Sequence, residues 1–312
     1  MQHITVIHSG AVGDLLAALP ALRAVRARWP AARITVLGRP ERAALAVMAG
    51  AADDAADIET SGLWRLMGPK PARGSPLPAP LAGADLVLDF FSNGSVAAAM
   101  PGRPVISVQP LPPDGWTESA AAWILSQLKT RLALPDLPRE PEIAVPPEAI
   151  AAARAGLGGA ADKPLAAIHP GSGSLRKNWP MDRFEEIARR LRGSGLCLAW
   201  VIGPAEVERG TRPAVAPGDA LLEDVPLPRL AGVLAAAVIY VGNDSGVAHL
   251  AAAVRGHAGR RTPTVVLFGP SDPRVWAPRG PHVHVVRSPT GTMGAISADD
   301  VWHEVARAIS GS

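Results

Sequence analysis

Short apolar runs alternate with longer stretches of helical periodicity along most of the chain. Residues 4–7 form one such run, and a helical pattern follows over 15–29. A second run at 34–37 precedes a short helix near 41–49, and further strand-like runs stand at 86–90 and 105–108. After residue 150 the alternation restarts with a helix at 150–157, a strand at 165–168 and a helix at 181–191. In that last helix Phe184, Ile187, Ala188 and Leu191 recur at i, i+3, i+4 and i+7. Buried strands are expected at 196–202 and 238–241, a helix at 246–254, a strand at 264–268 and an amphipathic helix at 298–309. Alternation of this kind predicts parallel sheets covered by helices on both faces.

Pro135, Pro138, Pro141, Pro146 and Pro147 cluster between the two series. Prolines at that density disfavour helix and favour an extended path. The chain thus reads as βα units, a linker, and βα units again. One domain is expected over 1–158 and a second over 159–312, with a ligand cleft between them at the carboxyl ends of the strands. The stretch 66–81 carries Pro69, Pro71, Pro76, Pro78 and Pro80 and is expected to be a mobile loop, because a strand pattern resumes within a few residues.

Composition narrows the classes. With 312 residues, 48% apolar and 19% charged, the chain is globular and long enough for two cores. The longest apolar runs fall far short of the ~20 residues of a spanning helix. The N-terminus reads directly as a strand, so no secretory leader and a cytoplasmic location are expected. The single cysteine, Cys197, has no internal disulfide partner. A net charge of +3 is too small to argue for nucleic acid, but it suits acidic small ligands or an anionic membrane surface.

Candidate chemistry gathers where strands end. Ser9-Gly10-Ala11-Val12-Gly13-Asp14 follows the first strand, and its small residues let backbone approach a ligand. Asp14 reads either as a general base or as a helix cap. His169-Pro170-Gly171-Ser172-Gly173-Ser174 is followed by Arg176 and Lys177; hydroxyls, backbone N–H groups and a lysine together describe an anion site. Val241-Gly242-Asn243-Asp244-Ser245-Gly246 again runs from a strand into a helix, whose free N–H groups suit a phosphate. His249, one turn further on, either reaches the same ligand or packs. Two weaker signals are the strand ends Gly269-Pro270-Ser271-Asp272 and Gly203-Pro204-Ala205-Glu206, the latter with an acid placed for ribose hydroxyls. Metal readings are poor: the eight histidines are scattered, His282 and His284 lack a carboxylate pair, and no D-x-D motif is present. Asp53-Asp54 and Asp299-Asp300 look like solvated charges. No metal site is expected.

Taken in order, these segments resemble glycosyltransferase family 9, the bacterial heptosyltransferases of lipopolysaccharide core synthesis. The matching residues are Gly13-Asp14 with Leu19-Pro20-Ala21-Leu22, Pro30-Ala31-Ala32-Arg33-Ile34, His169-Pro170-Gly171-Ser172, Lys177-Asn178-Trp179-Pro180, Gly242-Asn243-Asp244-Ser245-Gly246, His249-Leu250-Ala251-Ala252 and Phe268-Gly269-Pro270-Ser271-Asp272-Pro273. The resemblance implies a GT-B fold of two Rossmann-like domains, the first binding acceptor and the second binding donor. It implies metal-independent, inverting transfer from a nucleotide-diphosphate sugar, typically ADP-heptose, with no resident cofactor. The acceptor would be a lipid-linked or lipopolysaccharide-core glycan met at the inner face of the cytoplasmic membrane. Asp14 falls at the catalytic base and Lys177 at the donor-phosphate lysine. Ser172, Gly173 and Ser174 fall in the phosphate loop, Glu206 at the ribose contact, and Asn243, Asp244, Ser245, Gly246 and His249 at the donor-binding helix start. Gly13, His8, Arg39 and Arg42 are the expected acceptor contacts. Many members of the family carry Arg or Lys where this chain has His8. Two other functions fit the same architecture: a nucleotide-sugar epimerase and a non-catalytic nucleotide-sugar binder.

Overall fold

The computed structural model describes residues 1–66, 77–160 and 163–311. They divide into two compact units, Met1–Pro141 and Glu142–Ser312. Of the proline-rich loop expected at 66–81, Pro69, Pro71 and Pro76 lie outside the described residues, while Pro78 and Pro80 open a short helix.

Unit 1 runs β1 (His3–His8), α1 (Val12–Arg28), β2 (Arg33–Gly38), α2 (Pro40–Met48), β3 (Asp54–Asp57), α3 (Ala79–Ala82), β4 (Leu86–Asp89), α4 (Ser95–Ala99), β5 (Val105–Ser107) and α5 (Ala120–Leu132). Its strands form one parallel sheet in the order β3-β2-β1-β4-β5. Ile4, Val6 and Ile7 of β1 are all but inaccessible to solvent, because the strand lies at the middle of a sheet covered on both faces. α1 begins three residues earlier than its apolar pattern suggests. Asp14, in the first turn, accepts the Ala11 N–H at 2.8 Å and so extends the helix back to Val12. The strand β3 and the helix α5 were not anticipated. β3 reads Asp-Ala-Ala-Asp, and the expected solvated pair Asp53-Asp54 is partly exposed and also ion-paired. Asp53, just ahead of it, accepts the Ile34 N–H at 2.7 Å and pairs with Arg26, while Asp54 meets Arg33 at 2.5 Å. These links tie a polar edge strand to the sheet.

Unit 2 runs β6 (Ile143–Ala144), α6 (Pro147–Ala155), β7 (Leu165–His169), α7 (Met181–Gly193), β8 (Cys197–Ile202), α8 (Pro204–Glu208), β9 (Ala220–Glu223), α9 (Leu227–Ala236), β10 (Ile239–Asn243), α10 (Gly246–Ala253), β11 (Val254–Arg255), β12 (Thr264–Phe268), α11 (Pro273–Trp276), β13 (Val283–Arg287) and α12 (Ala298–Ser310). The large sheet is parallel, in the order β13-β12-β10-β7-β8-β9. Trp200, Phe184, Ile187 and Leu191 fill the layer between β8 and α7, with Val301 and Val305 of α12 in the same core.

The compact units part at residue 141, whereas the sequence placed the boundary at 158. The reason is α6. It packs on α9, where Gly232 leaves room for Ala149 and Ala153, and β6 pairs with β11 ahead of it. The first helix after the linker therefore belongs to the second core.

Both sheets wind outward from a central strand in both directions. The direction reverses between β1 and β4 in unit 1 and between β7 and β10 in unit 2. Adjacent crossover helices diverge there and leave a crevice at the strand ends, where doubly wound proteins bind ligands.

Candidate active site

In unit 2, His169 ends β7 opposite Gly242 of the neighbouring β10, and Asn243 ends β10 one residue further on. The turn after β7 is built on Asn243. Its amide nitrogen donates to the Pro170 carbonyl at 2.7 Å, and its oxygen accepts the Trp179 N–H at 3.1 Å. Asn243 is fully buried with both ends of its amide engaged, so it holds the turn in place. Ser172 Oγ lies 2.6 Å from Asn178 Oδ1 and 2.7 Å from the Ser174 carbonyl, closing the turn on itself. Gly171 has no room for a side chain, because a Cβ there would overlap the Glu206 carboxyl group.

Glu206 is 4% exposed. It accepts the Gly203 N–H at 3.0 Å and presses against the Gly171 backbone. Its Oε1 has no hydrogen-bond partner among the described residues. His169 is buried beside it, with Nδ1 2.8 Å from the Val201 carbonyl; burial drives its pKa down, against the pull of the Glu206 charge.

Two turns bring charge to this floor. Lys177, at the end of the 170–178 turn, places Nζ 2.7 Å from Asp244 Oδ2. Asp244 is 7% exposed, and Ser271 Oγ donates to the same oxygen at 2.6 Å. Ser245 caps α10 by accepting the Ala248 N–H at 3.3 Å. Gly246 and Val247 follow in the first turn of the helix, where backbone N–H groups have no intrahelical acceptor. His249, one turn in, lies with Nε2 3.0 Å from the Trp276 carbonyl, so its ring is held by the chain. Gly173 is exposed at the tip of the turn. Ser172, Gly173, Ser174, Lys177, Asp244, Ser245 and Gly246 thus gather at the β7–β10 crevice. Glu206 joins them from the neighbouring strand end. Asn243 and His249 act from behind it. The motif 268–273 looked weak singly, but Ser271 belongs to the group; only the fold brings its turn beside Asp244.

In unit 1 the loop after β1 carries a second group. The side chains of His8 and Asp14 both close on Gly10: a Cβ there would lie 3.0 Å from His8 Cε1 and 2.9 Å from Asp14 Oδ2. Arg42 reaches in from α2 and donates to the Gly10 carbonyl at 2.8 Å. Burial lowers the Arg42 pKa, helped by neighbouring Arg39. His8 is 4% exposed against Phe90, at 5.1 Å between ring centroids. Burial pushes its pKa down to about 4, opposed by the Asp14 charge, so His8 is a neutral side chain at pH 7. Arg39 is exposed and stands 3.7 Å from Glu59. Gly13, in the first turn of α1, is half-buried. One residue was missed here. Asp89 ends β4 beside β1 at the reversal point and is fully buried. It accepts the Phe91 N–H at 3.0 Å, and burial raises its pKa. Nothing in the local sequence separates it from an ordinary strand-end acid.

The other carboxylate pair is accounted for in the same way as Asp53-Asp54. Asp300 caps α12 with Ser297, and Asp299 meets Arg190 at 2.7 Å. Among the described residues no group of three or more His, Cys, Asp or Glu is arranged to hold a metal ion.

Two parallel Rossmann-like sheets, each wound outward from a reversal point, make an α/β fold of GT-B type. A model of glycosyltransferase family 9 (heptosyltransferase) matches residues 122–305. Lipopolysaccharide heptosyltransferase 1 of Escherichia coli O18:K1:H7 is 33% identical over 129 residues, 40% of this chain and 37% of the relative. The chain therefore spans little more than a third of the length of that relative. Solved E. coli ADP-heptose lipopolysaccharide heptosyltransferase II superposes with a TM-score of 0.78 at 20% identity, over 99% of each chain. An E. coli heptosyltransferase solved with ADP gives 0.70 at 21%, over 98% of this chain and 100% of that one. These structures share the fold. The protein belongs to glycosyltransferase family 9.

Proposed function

We propose that the protein is a metal-independent, inverting glycosyltransferase that moves heptose from ADP-heptose onto a lipopolysaccharide-core or related cell-envelope acceptor. The observation that carries this reading is the convergence in unit 2 of the 170–178 turn, the N-terminus of α10 and Lys177 on one crevice, in a chain of this family. A diphosphate needs that combination: backbone N–H groups for its oxygens, a helix dipole, and a countercharge. In the proposed reaction an acceptor hydroxyl attacks the anomeric carbon from the side opposite the diphosphate. The bond from that carbon to the phosphate oxygen breaks, and the electron pair leaves on the diphosphate. Lys177 and the α10 amides stabilise this charge. Asp14 takes the hydroxyl proton as the new bond forms. Backside attack inverts the anomeric configuration.

Ser172, Gly173, Ser174, Asp244, Ser245 and Gly246 are assigned to the diphosphate and sugar, and Glu206 to the ribose hydroxyls. Asn243 and His249 support them. Gly13, Arg39 and Arg42 are assigned to the acceptor, with His8 packed behind Asp14. No helix among the described residues is long and apolar enough to cross a membrane. An acceptor at the inner face of the cytoplasmic membrane would be met from the cytoplasm by peripheral contact. The donor assignment is tested by thermal shift with ADP-, UDP- and GDP-sugars at one concentration. A ligand that binds only the folded state raises its stability with the logarithm of concentration over Kd. ADP-heptose is expected to give the largest rise. An equal response to all three, or none, would remove the donor assignment.

A further inference from the structure

Asp244 is a nearly buried carboxylate whose Oδ2 has two partners of different kinds. One is the Lys177 ammonium at 2.7 Å and the other the Ser271 hydroxyl at 2.6 Å. Its own backbone N–H donates to the Leu267 carbonyl at 3.1 Å, which fixes the residue in the β10–α10 turn. Lys177 differs from Asp244 in exposure. Its side chain is 34% exposed, against 7% for Asp244, and an ammonium group has three donors. The lysine can therefore turn toward a ligand, while the carboxylate cannot follow it. A buried carboxylate left without a donor is strongly unfavourable. Ser271 stands on a turn that is itself fixed: Gly269 lies so close to Met293 that a Cβ would sit 2.5 Å from its Sδ.

We propose, building on the donor site assigned above, that Ser271 is a positioning residue for diphosphate recognition. It keeps Asp244 satisfied while Lys177 is shared with the donor phosphate. Without the hydroxyl, Asp244 would depend on Lys177 alone. The lysine would be held more tightly in its ion pair and would be less available to the diphosphate. In this role Ser271 acts on binding through Asp244 and Lys177.

ADP affinity measured by calorimetry on the full chain tests this, using wild type, Ser271→Ala, Ser271→Thr, Lys177→Ala and the Ser271→Ala/Lys177→Ala double variant. Removing a hydrogen bond to a charged group is expected to weaken ADP binding about tenfold in Ser271→Ala. Threonine, which keeps the hydroxyl, should restore it. In the Lys177→Ala background the same serine change should have almost no further effect, whereas a merely structural role would add its full loss. Unchanged ADP affinity in Ser271→Ala overturns the proposal, as does a loss that persists undiminished without Lys177. If Ser271→Ala is silent while Lys177→Ala weakens ADP, the inference fails and the donor site stands. If Lys177→Ala is also silent, both fall.

Discussion

Asp14 shows how one side chain fits two readings at once. Its carboxylate accepts the Ala11 N–H and so caps α1, and it is also the proposed general base. Asparagine keeps an acceptor oxygen for Ala11 but cannot take a proton. Asp14→Asn should therefore cost less than ~1 kcal/mol of stability. It should lower kcat by ~10²–10⁴ with donor affinity unchanged. Melting temperature and kcat on one preparation separate the roles, and normal turnover with a lowered melting temperature would leave only the cap. His8 gives a pH signature. Unfolded, its imidazole titrates near 6.5; folded, near 4. Between those values the unfolded chain binds more protons, so acid favours unfolding. The stability tied to neutral His8 is complete above about pH 6.5 and declines by up to about 3 kcal/mol toward pH 4. His8→Gln should lose less stability than wild type on going from about pH 7 to about pH 5 in urea titrations. Equal losses in the two proteins would contradict the burial of a neutral ring.

At the scale of elements, the turn after β7 depends on exclusion as much as on attraction. Gly171 is glycine because the Glu206 carboxyl fills the space beside it. Gly171→Ala must push that buried carboxylate away from the Gly203 N–H. A cost of about 1–3 kcal/mol in denaturant titration is expected, together with weaker ADP binding. A variant with wild-type stability would show that Glu206 moves freely. The central strands were legible as short continuous apolar runs, and α7 because its apolar positions repeat at 3.6 residues; α5, equally long, was not anticipated. The edge strand β3 was not, because its two alanines and two acids carry no such signal and its place rests on links to Arg33 and, through Asp53, to Arg26. Helix α3 lay hidden in a run of prolines, where Pro78 and Pro80 serve a helix start instead of a loop.

For the whole molecule, the small-residue turns at strand ends were legible, because small residues, hydroxyls and cations coincide there, whereas Asp89 at the end of β4 was not. Nor was the grouping of those turns. Asp244 and Ser271 are 27 residues apart in sequence, and Lys177 and Asp244 are 67 apart. Only the strand order, with β7, β10 and β12 side by side, brings the three together. The compact units part at residue 141, inside the proline cluster, because the helix expected after the linker, α6, packs on α9 of the second unit. Transfer itself is tested most directly by ADP release. The protein is incubated with ADP-heptose in EDTA, with and without a heptose-deficient lipopolysaccharide-core acceptor. Stoichiometric ADP and heptosylated acceptor are expected only when both substrates are present. Conversion of the donor sugar without ADP release, or no product until a divalent metal is restored, would contradict a metal-independent transferase.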